Sequence, residues 1–322
     1  MPGLQRRPVA SAVLSQTETN VTVRQEDNKI DYSSVKTTKK LLYTWNEIPD
    51  WQKDNELILG SYVRETNSIK ECCRSLFYLH NESVNIYTHF LPSLCFLLTF
   101  LFDTFVIPTY ETTTWIDYMV IDIFFLGAFC CLILSSTFHC FKCHSHKVAI
   151  FGNKLDYLGI IVLIVSSMTS ILYYGFYDNG KLFYSFNLIT LIFGVACAVV
   201  SLDETFRTRE WRSYRAGLFV AFGLSAILPV MAGIVHYGFR ETCTRIQLKW
   251  VSLEGFLYIF GAFLYGARFP ERVAPGKFDV WGHSHQLFHV LVVIAALCHL
   301  TALLESYKIV HIYLRLEASP RM

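Results

Sequence analysis

Along the chain, polar stretches alternate with seven long apolar runs. Each is roughly twenty residues, the length a helix rising 1.5 Å per residue needs to cross a hydrocarbon core. The runs are Ile86 to Ile107, Ile116 to His139, Leu155 to Gly175, Leu182 to Leu202, Tyr214 to His236, Trp250 to Ala267 and Ser284 to Leu304. They predict an all-α fold, a seven-helix transmembrane bundle over residues 85–305. Pro92 and Pro229 predict kinks in the first and fifth spans. Residues 1–40, rich in Ser, Thr, Asn, Gln and charge, read as a disordered cytosolic tail. Between residues 41 and 84 aromatics and acids mix, as in Trp45-Asn46-Glu47-Ile48-Pro49-Asp50-Trp51, and this reads as a folded segment lying against the membrane. Residues 306–322 form a short tail after the last span.

Composition sharpens the picture. Of 322 residues, 53% are hydrophobic, and that content is gathered in the seven runs. The net charge is only +2 with the basic residues in loops, so no nucleic-acid partner is expected. The polar first 84 residues show no secretory signal, which leaves targeting to the first span. Orientation is set by the loops. The second, fourth and sixth carry Lys142, Lys147 and Lys154, then Arg207, Arg209, Arg212 and Arg215, then Arg268, Arg272 and Lys277. The odd loops carry Lys181, Arg240, Arg245 and Lys249. That excess predicts a cytosolic amino terminus and an extracytoplasmic carboxyl terminus. Plasma membrane and endoplasmic reticulum or other endomembranes all suit such a protein. Of the ten cysteines only Cys243 falls in an outer loop, so no disulfide framework is expected. The Asn20 and Asn81 sequons are expected on the cytosolic side and unglycosylated.

Candidate chemistry gathers at one end of the bundle. His285 and His289, four residues apart at the start of the seventh run, stack on one helix face and together offer a metal two nitrogens. They also fit the role of interfacial histidines. His139 closes the second run with Ser135 one turn before it, and Asp156 stands in the first turn of the third. Each has a plain structural role open to it: His139 as an interface residue, Ser135 bonded back to its own helix, Asp156 as a helix cap. Parity joins them, because the second span ends and the third and seventh begin at the same membrane face. Three histidines with a fourth position open make a catalytic-type zinc site, where the pKa of a bound water falls from 15.7 to about 7. Asp156 would then hold or deprotonate that water, and Ser135 would position a ligand. His299 lies about 15 Å further along the helix and suits core packing or a bundle hydrogen bond. Cys140-Phe141-Lys142-Cys143-His144-Ser145-His146 offers ligand types for a second zinc site.

Several ordered segments resemble the progestin and adipoQ receptor family, related to haemolysin III. They are Phe77 to His89, Ser135 to His139, Lys154-Leu155-Asp156-Tyr157, Pro270-Glu271-Arg272, Pro275 to Asp279, and Ser284-His285-Gln286-Leu287-Phe288-His289. Within that family the chain is similar to the fungal branch implicated in zinc homeostasis, and the resemblance spans about Trp45 to Leu304. It implies a seven-helix bundle with a cytosolic amino terminus and zinc at His139, His285 and His289. It also implies, through members resembling adiponectin receptors, hydrolysis of ceramide, with Ser135 and Asp156 at the matching site positions. Gly60-Ser61-Tyr62-Val63-Arg64 departs from the Gly-x-Arg segment of the animal receptors, which bears on recognition of soluble partners.

The expected function is a ceramidase-like lipid amide hydrolase and receptor in lipid and zinc homeostasis. Its cofactor would be zinc, and its partners membrane lipids (ceramide, fatty acid or a sterol-like ligand) with a possible extracellular protein ligand. The other reading is a signalling receptor whose zinc is structural. A zinc or proton transporter would need acids and histidines strung through the bilayer.

Overall fold

The structure, a computed structural model, describes residues 40–203 and 209–318. The tail expected over residues 1–40 lies outside the described residues apart from Lys40. The chain divides into two units, Met1–Leu41 and Leu42–Met322, and the described helices all lie in the second. Eleven α-helices are described: α1 Ile69–Ser75, α2 Ser83–Leu101, α3 Asp103–Val106, α4 Trp115–Phe141, α5 His146–Gly175, α6 Gly180–Leu202, α7 Arg212–Leu224, α8 Ile227–Tyr237, α9 Phe239–Arg245, α10 Leu248–Ala267 and α11 Ser284–Ala318. Among the described residues the only β pairing is an isolated antiparallel bridge between Tyr43 and Tyr62.

Seven of these segments are long and apolar enough to cross a membrane: α2, α4, α5, α6, the stretch Ser213–Tyr237, α10, and Ser284–Leu314 within α11. The protein is therefore an all-α, seven-span integral membrane protein. The fifth span is two helices, because α7 stops at Leu224 and α8 restarts at Ile227. Pro229 sits in the first turn of α8, where its missing N–H leaves no bond unmade. Pro92 lies inside α2, which continues through it to Leu101. The first apolar run ends sooner than its composition suggests: α2 gives way at Phe102 to the single turn of α3.

The helix ends are fixed by local chemistry. Thr114 and Asp117 form a reciprocal capping box at the start of α4, and the Asn179 side chain accepts the Leu182 N–H at the start of α6. Glu271, fully buried, takes the Ser284 N–H at 2.8 Å and the Ser284 hydroxyl at 2.5 Å. A carboxylate there neutralises the orphan donors and positive end of α11, the helix that carries His285 and His289.

Packing divides the bundle into unequal parts. The main core joins Ile121, Phe124, Phe125, Leu132, Tyr174, Leu303 and Tyr307 of α4, α5 and α11. α4 and α5 approach so closely that a Cβ on Gly127 would stand 1.8 Å from the Ser166 hydroxyl. A Cβ on Gly159 would stand 3.0 Å from the Cys131 Cα. Small residues at such crossings let membrane helices gain dispersion contacts that lipid cannot supply. In the most apolar stretches of α4 and α5, 56% and 50% of residues are buried, against 11% in the fifth span and 17% in α10. The bundle thus has a dense half and a thinly packed half.

The segment before α1 is folded. Its 3₁₀ turns Trp45–Glu47 and Asp50–Gln52 enclose a small core of Ile48, Ile58 and Tyr62. It is bonded to the loop between α10 and α11. Gly276 N–H reaches Leu57 O at 2.9 Å, Leu59 N–H reaches Asp279 Oδ1 at 2.8 Å, and Arg268 pairs with Glu56 at 2.8 Å.

Candidate metal centre

His139 from the last turns of α4 meets His285 and His289 from the first turns of α11. Three ring nitrogens, one from each, lie within 4.8 Å of one another, and the rings stand 4.8–4.9 Å apart at 75–79°. This is the only group of three or more potential ligands found among the described residues.

The partners of the rings decide which nitrogens are free. His139 Nδ1 donates to Glu82 Oε2 at 2.8 Å, and His289 Nδ1 donates to the Asn85 carbonyl at 3.1 Å. A nitrogen that donates to oxygen carries the proton, so Nε2 of each ring keeps its lone pair. His139 Nε2 is buried and has no hydrogen-bond partner. A buried acceptor left this way carries a free-energy cost that a bound cation removes. Three neutral imidazoles fit Zn²⁺, which takes nitrogen ligands and, in open sites, three from protein.

A further shell of polar groups holds the ligands. Glu82 is bridged to Lys142 at 2.9 Å as well as to His139. Burial alone would raise the Glu82 carboxyl, but the Lys142 ammonium and His139 hold it well below the usual carboxylate range. His89 lies flat on His289, centroids 3.8 Å apart and planes within 9°, and its Nε2–H donates to the His289 carbonyl at 3.2 Å. Tyr265 of α10 covers His285 edge-on at 5.0 Å.

The triad opens on a cavity of about 460 Å³ lined mostly by apolar side chains of α5, α7, α10 and α11. Asp156 and Ser135 line the same cavity as His285 and His289, and the Asp156 carboxylate faces both His139 and Ser135. Four of the five residues singled out in the sequence thus line one cavity, and His139 stands behind them against His285 and His289. The ligand types between Cys140 and His146 form no cluster among the described residues: Cys143 sits 3.6 Å from Cys72 Sγ. His299 makes bundle hydrogen bonds, to Glu254 at 2.9 Å and Ser170 at 3.3 Å. Sequence reasoning gave no role at the site to Glu82, Asn85, His89, Lys142 or Tyr265. Glu82, Asn85 and His89 lie in the Phe77 to His89 segment, whose density of polar residues just before an apolar run is a readable signal of their use.

A family model described as haemolysin-III related matches residues 77–300, from before the first span to inside the last. The chain belongs to that family. Among its relatives, the ADIPOR-like receptor IZH2 of Saccharomyces cerevisiae is 61% identical over 285 residues, 88% of this chain and 90% of the relative. The ADIPOR-like receptor IZH1 of Eremothecium gossypii is 49% identical, covering 83% of this chain and 84% of its own. The adiponectin receptor protein of Drosophila melanogaster is 38% identical over 83% of this chain and 60% of its own. This haemolysin-III-related protein is accordingly a seven-span membrane protein of the adiponectin-receptor-like kind, and its histidine triad lies within the matched region.

Proposed function

We propose that this protein is a zinc-dependent, ceramidase-like hydrolase of lipid amides that also serves as a receptor in lipid and zinc homeostasis. The observation that carries the reading is a buried, unpartnered His139 Nε2 in a histidine triad that shares an apolar cavity with a carboxylate and a hydroxyl. A zinc ion held by His139, His285 and His289 would supply Lewis acidity, polarising a carbonyl and lowering the pKa of water to near neutrality. The protein's own groups do the rest. Asp156 takes a proton from water as its oxygen adds to the amide carbon. It then returns that proton to the amide nitrogen as the C–N bond breaks, giving an amine and a carboxylic acid. Ser135, facing Asp156, holds the carboxylate in line. The apolar cavity receives the acyl chain, and the positive-inside count supports a setting at the cytosolic leaflet of the plasma membrane or an endomembrane.

Purified protein tests the reading. Metal analysis of wild type should find zinc, and His139→Ala, His285→Ala and His289→Ala should each lose it. Asp156→Asn should keep the metal and lose ceramide turnover. Absence of turnover in any lipid, with unfolding when zinc is stripped, would instead make the metal a structural tie in a receptor.

A further inference from the structure

The cavity does not end in hydrocarbon. Beyond its apolar middle it is lined by Ser167, Glu254, Tyr258 and His299, far from the histidine triad. His299 joins these groups, bonded to Glu254 of α10 on one side and to Ser170 of α5 on the other, with the Phe124 ring 4.6 Å away. Ser170 in turn donates to the Ser167 carbonyl. Tyr258 stands one turn from Glu254 on the same face of α10, toward the metal end. Ser167 stands about one turn from Ser170, also toward the metal end. Both hydroxyls are buried, and neither has a hydrogen-bond partner. Ser167 itself is only 7% exposed.

Two orphan hydroxyls on facing helices of one cavity are costly unless something in the cavity bonds them. From these two hydroxyls and the cavity that joins them to the triad, we infer a second binding subsite that takes an uncharged hydroxyl on the chain of a long lipid. The chemistry of the walls selects that class. Glu254 brings a carboxylate to this end, while the lining Lys142 and Arg215 lie at the other, beside Asp156 and Tyr157, so nothing here holds an anionic head, and a bare methylene chain would leave both hydroxyls unbonded. A hydroxyl both accepts and donates, so it can bond Tyr258 O–H and Ser167 Oγ in either sense. The separation selects the position. Tyr258 is seven residues along α10 from Tyr265 at the metal end, about 10 Å, and Ser167 is eleven along α5 from Asp156, about 16 Å. The favoured lipid therefore carries its hydroxyl mid-chain, about 10–16 Å from the carbonyl. This inference rests on the cavity being the acyl site proposed above.

The test uses purified full-length protein and displacement of a fluorescent fatty acid. The probes are octadecanoic acid, its mid-chain hydroxylated form, and the isomer hydroxylated beside the carboxyl group. The mid-chain hydroxy acid should bind about five- to tenfold more tightly than the other two, the yield of one or two neutral hydrogen bonds. Tyr258→Phe and Ser167→Ala should each remove most of that preference while leaving the unsubstituted acid bound as well or better, since each deletes an unbonded hydroxyl. Equal binding of all three acids, or a preference that survives both substitutions, overturns the subsite and leaves the hydrolase reading standing if ceramide is still cleaved. Failure of every acid to bind overturns the acyl-cavity reading and the subsite with it.

Discussion

Replacing Glu82 with glutamine separates the residues that surround the metal site from those that form it. The Glu82 carboxylate accepts from His139 Nδ1 at 2.8 Å and from Lys142 Nζ at 2.9 Å, with its own side chain 14% exposed. Glutamine keeps the size but can present its amide N–H to the ring. His139 is then free to carry its proton on Nε2, the nitrogen that faces the other two histidines. Loss of such an outer partner weakens metal affinity about 10–100-fold. With free zinc at a hundredfold excess over Kd, the stabilisation it confers is about 2.7 kcal/mol, and a hundredfold weaker site keeps only about 0.4 kcal/mol. The metal-free protein also loses stability, because Lys142 loses its charged partner. Lys142 is 21% exposed, so that loss falls below the full cost of breaking a buried pair and comes to about 2 kcal/mol. A zinc titration against a competing chelator, with thermal melts at fixed zinc, reads both quantities. Lys142→Met is the control: it breaks the ion pair but leaves Glu82 on His139, so it should lower stability while keeping zinc affinity. A folded Glu82→Gln protein that binds zinc as wild type does would refute the orienting role.

Three more substitutions probe the helix crossing, the start of α11 and a buried imidazole. Gly159→Ala sets a methyl 3.0–3.3 Å from the Cys131 backbone, which must move; we expect a loss of about 1–3 kcal/mol and lower turnover at full zinc content, since Asp156 and Ser135 lie one turn from this contact. Turnover and zinc stoichiometry measured on one sample check it. Glu271→Ala removes the acceptor at the start of α11 and should cost about 1–2 kcal/mol in thermal melts, with weaker zinc binding because His285 is the next residue after Ser284. Burial pushes the His80 imidazole down to about 4 from its ordinary 6.5. The unfolded chain therefore takes up the proton first. The stability tied to neutral His80 is complete above about pH 6.5 and drains away as pH falls toward 4. His80→Gln should flatten that part of a stability profile, and a wild-type profile already flat there would contradict the assignment.

Much of this was legible in the chain. Length and apolarity predict the seven spans because backbone groups in lipid must be satisfied within a helix, which makes each span announce itself locally. The histidine triad was legible for a related reason: His285 and His289 share a helix face by spacing, and parity brings the end of α4 to the same side. What the pattern missed is non-local or polar. Glu82 lies outside any span, 57 residues from His139, and no periodicity links them. His89 and the His289 carbonyl it bonds are 200 residues apart. The last helix runs on past the apolar run ending at Leu304 because its polar residues have partners: Tyr307 bonds Thr113 and the Pro108 carbonyl, and His311 bonds Thr112. Hydropathy sees those residues as a tail, whereas the loop before α4 gives them a place to be buried.

The uneven packing of the bundle has a consequence for how such a protein would sense its surroundings. His139, Ser135 and Asp156 ride on the dense half, where the tight crossings of α4 and α5 fix their spacing. The far wall of the cavity includes the broken fifth span, only 11% buried in its most apolar stretch, which yields first to a squeeze from outside. Thickness, lateral pressure and chain order of the surrounding bilayer then act on the volume open to a guest while leaving the reactive groups in register. Under the proposed function, the host membrane would then act as an effector in its own right.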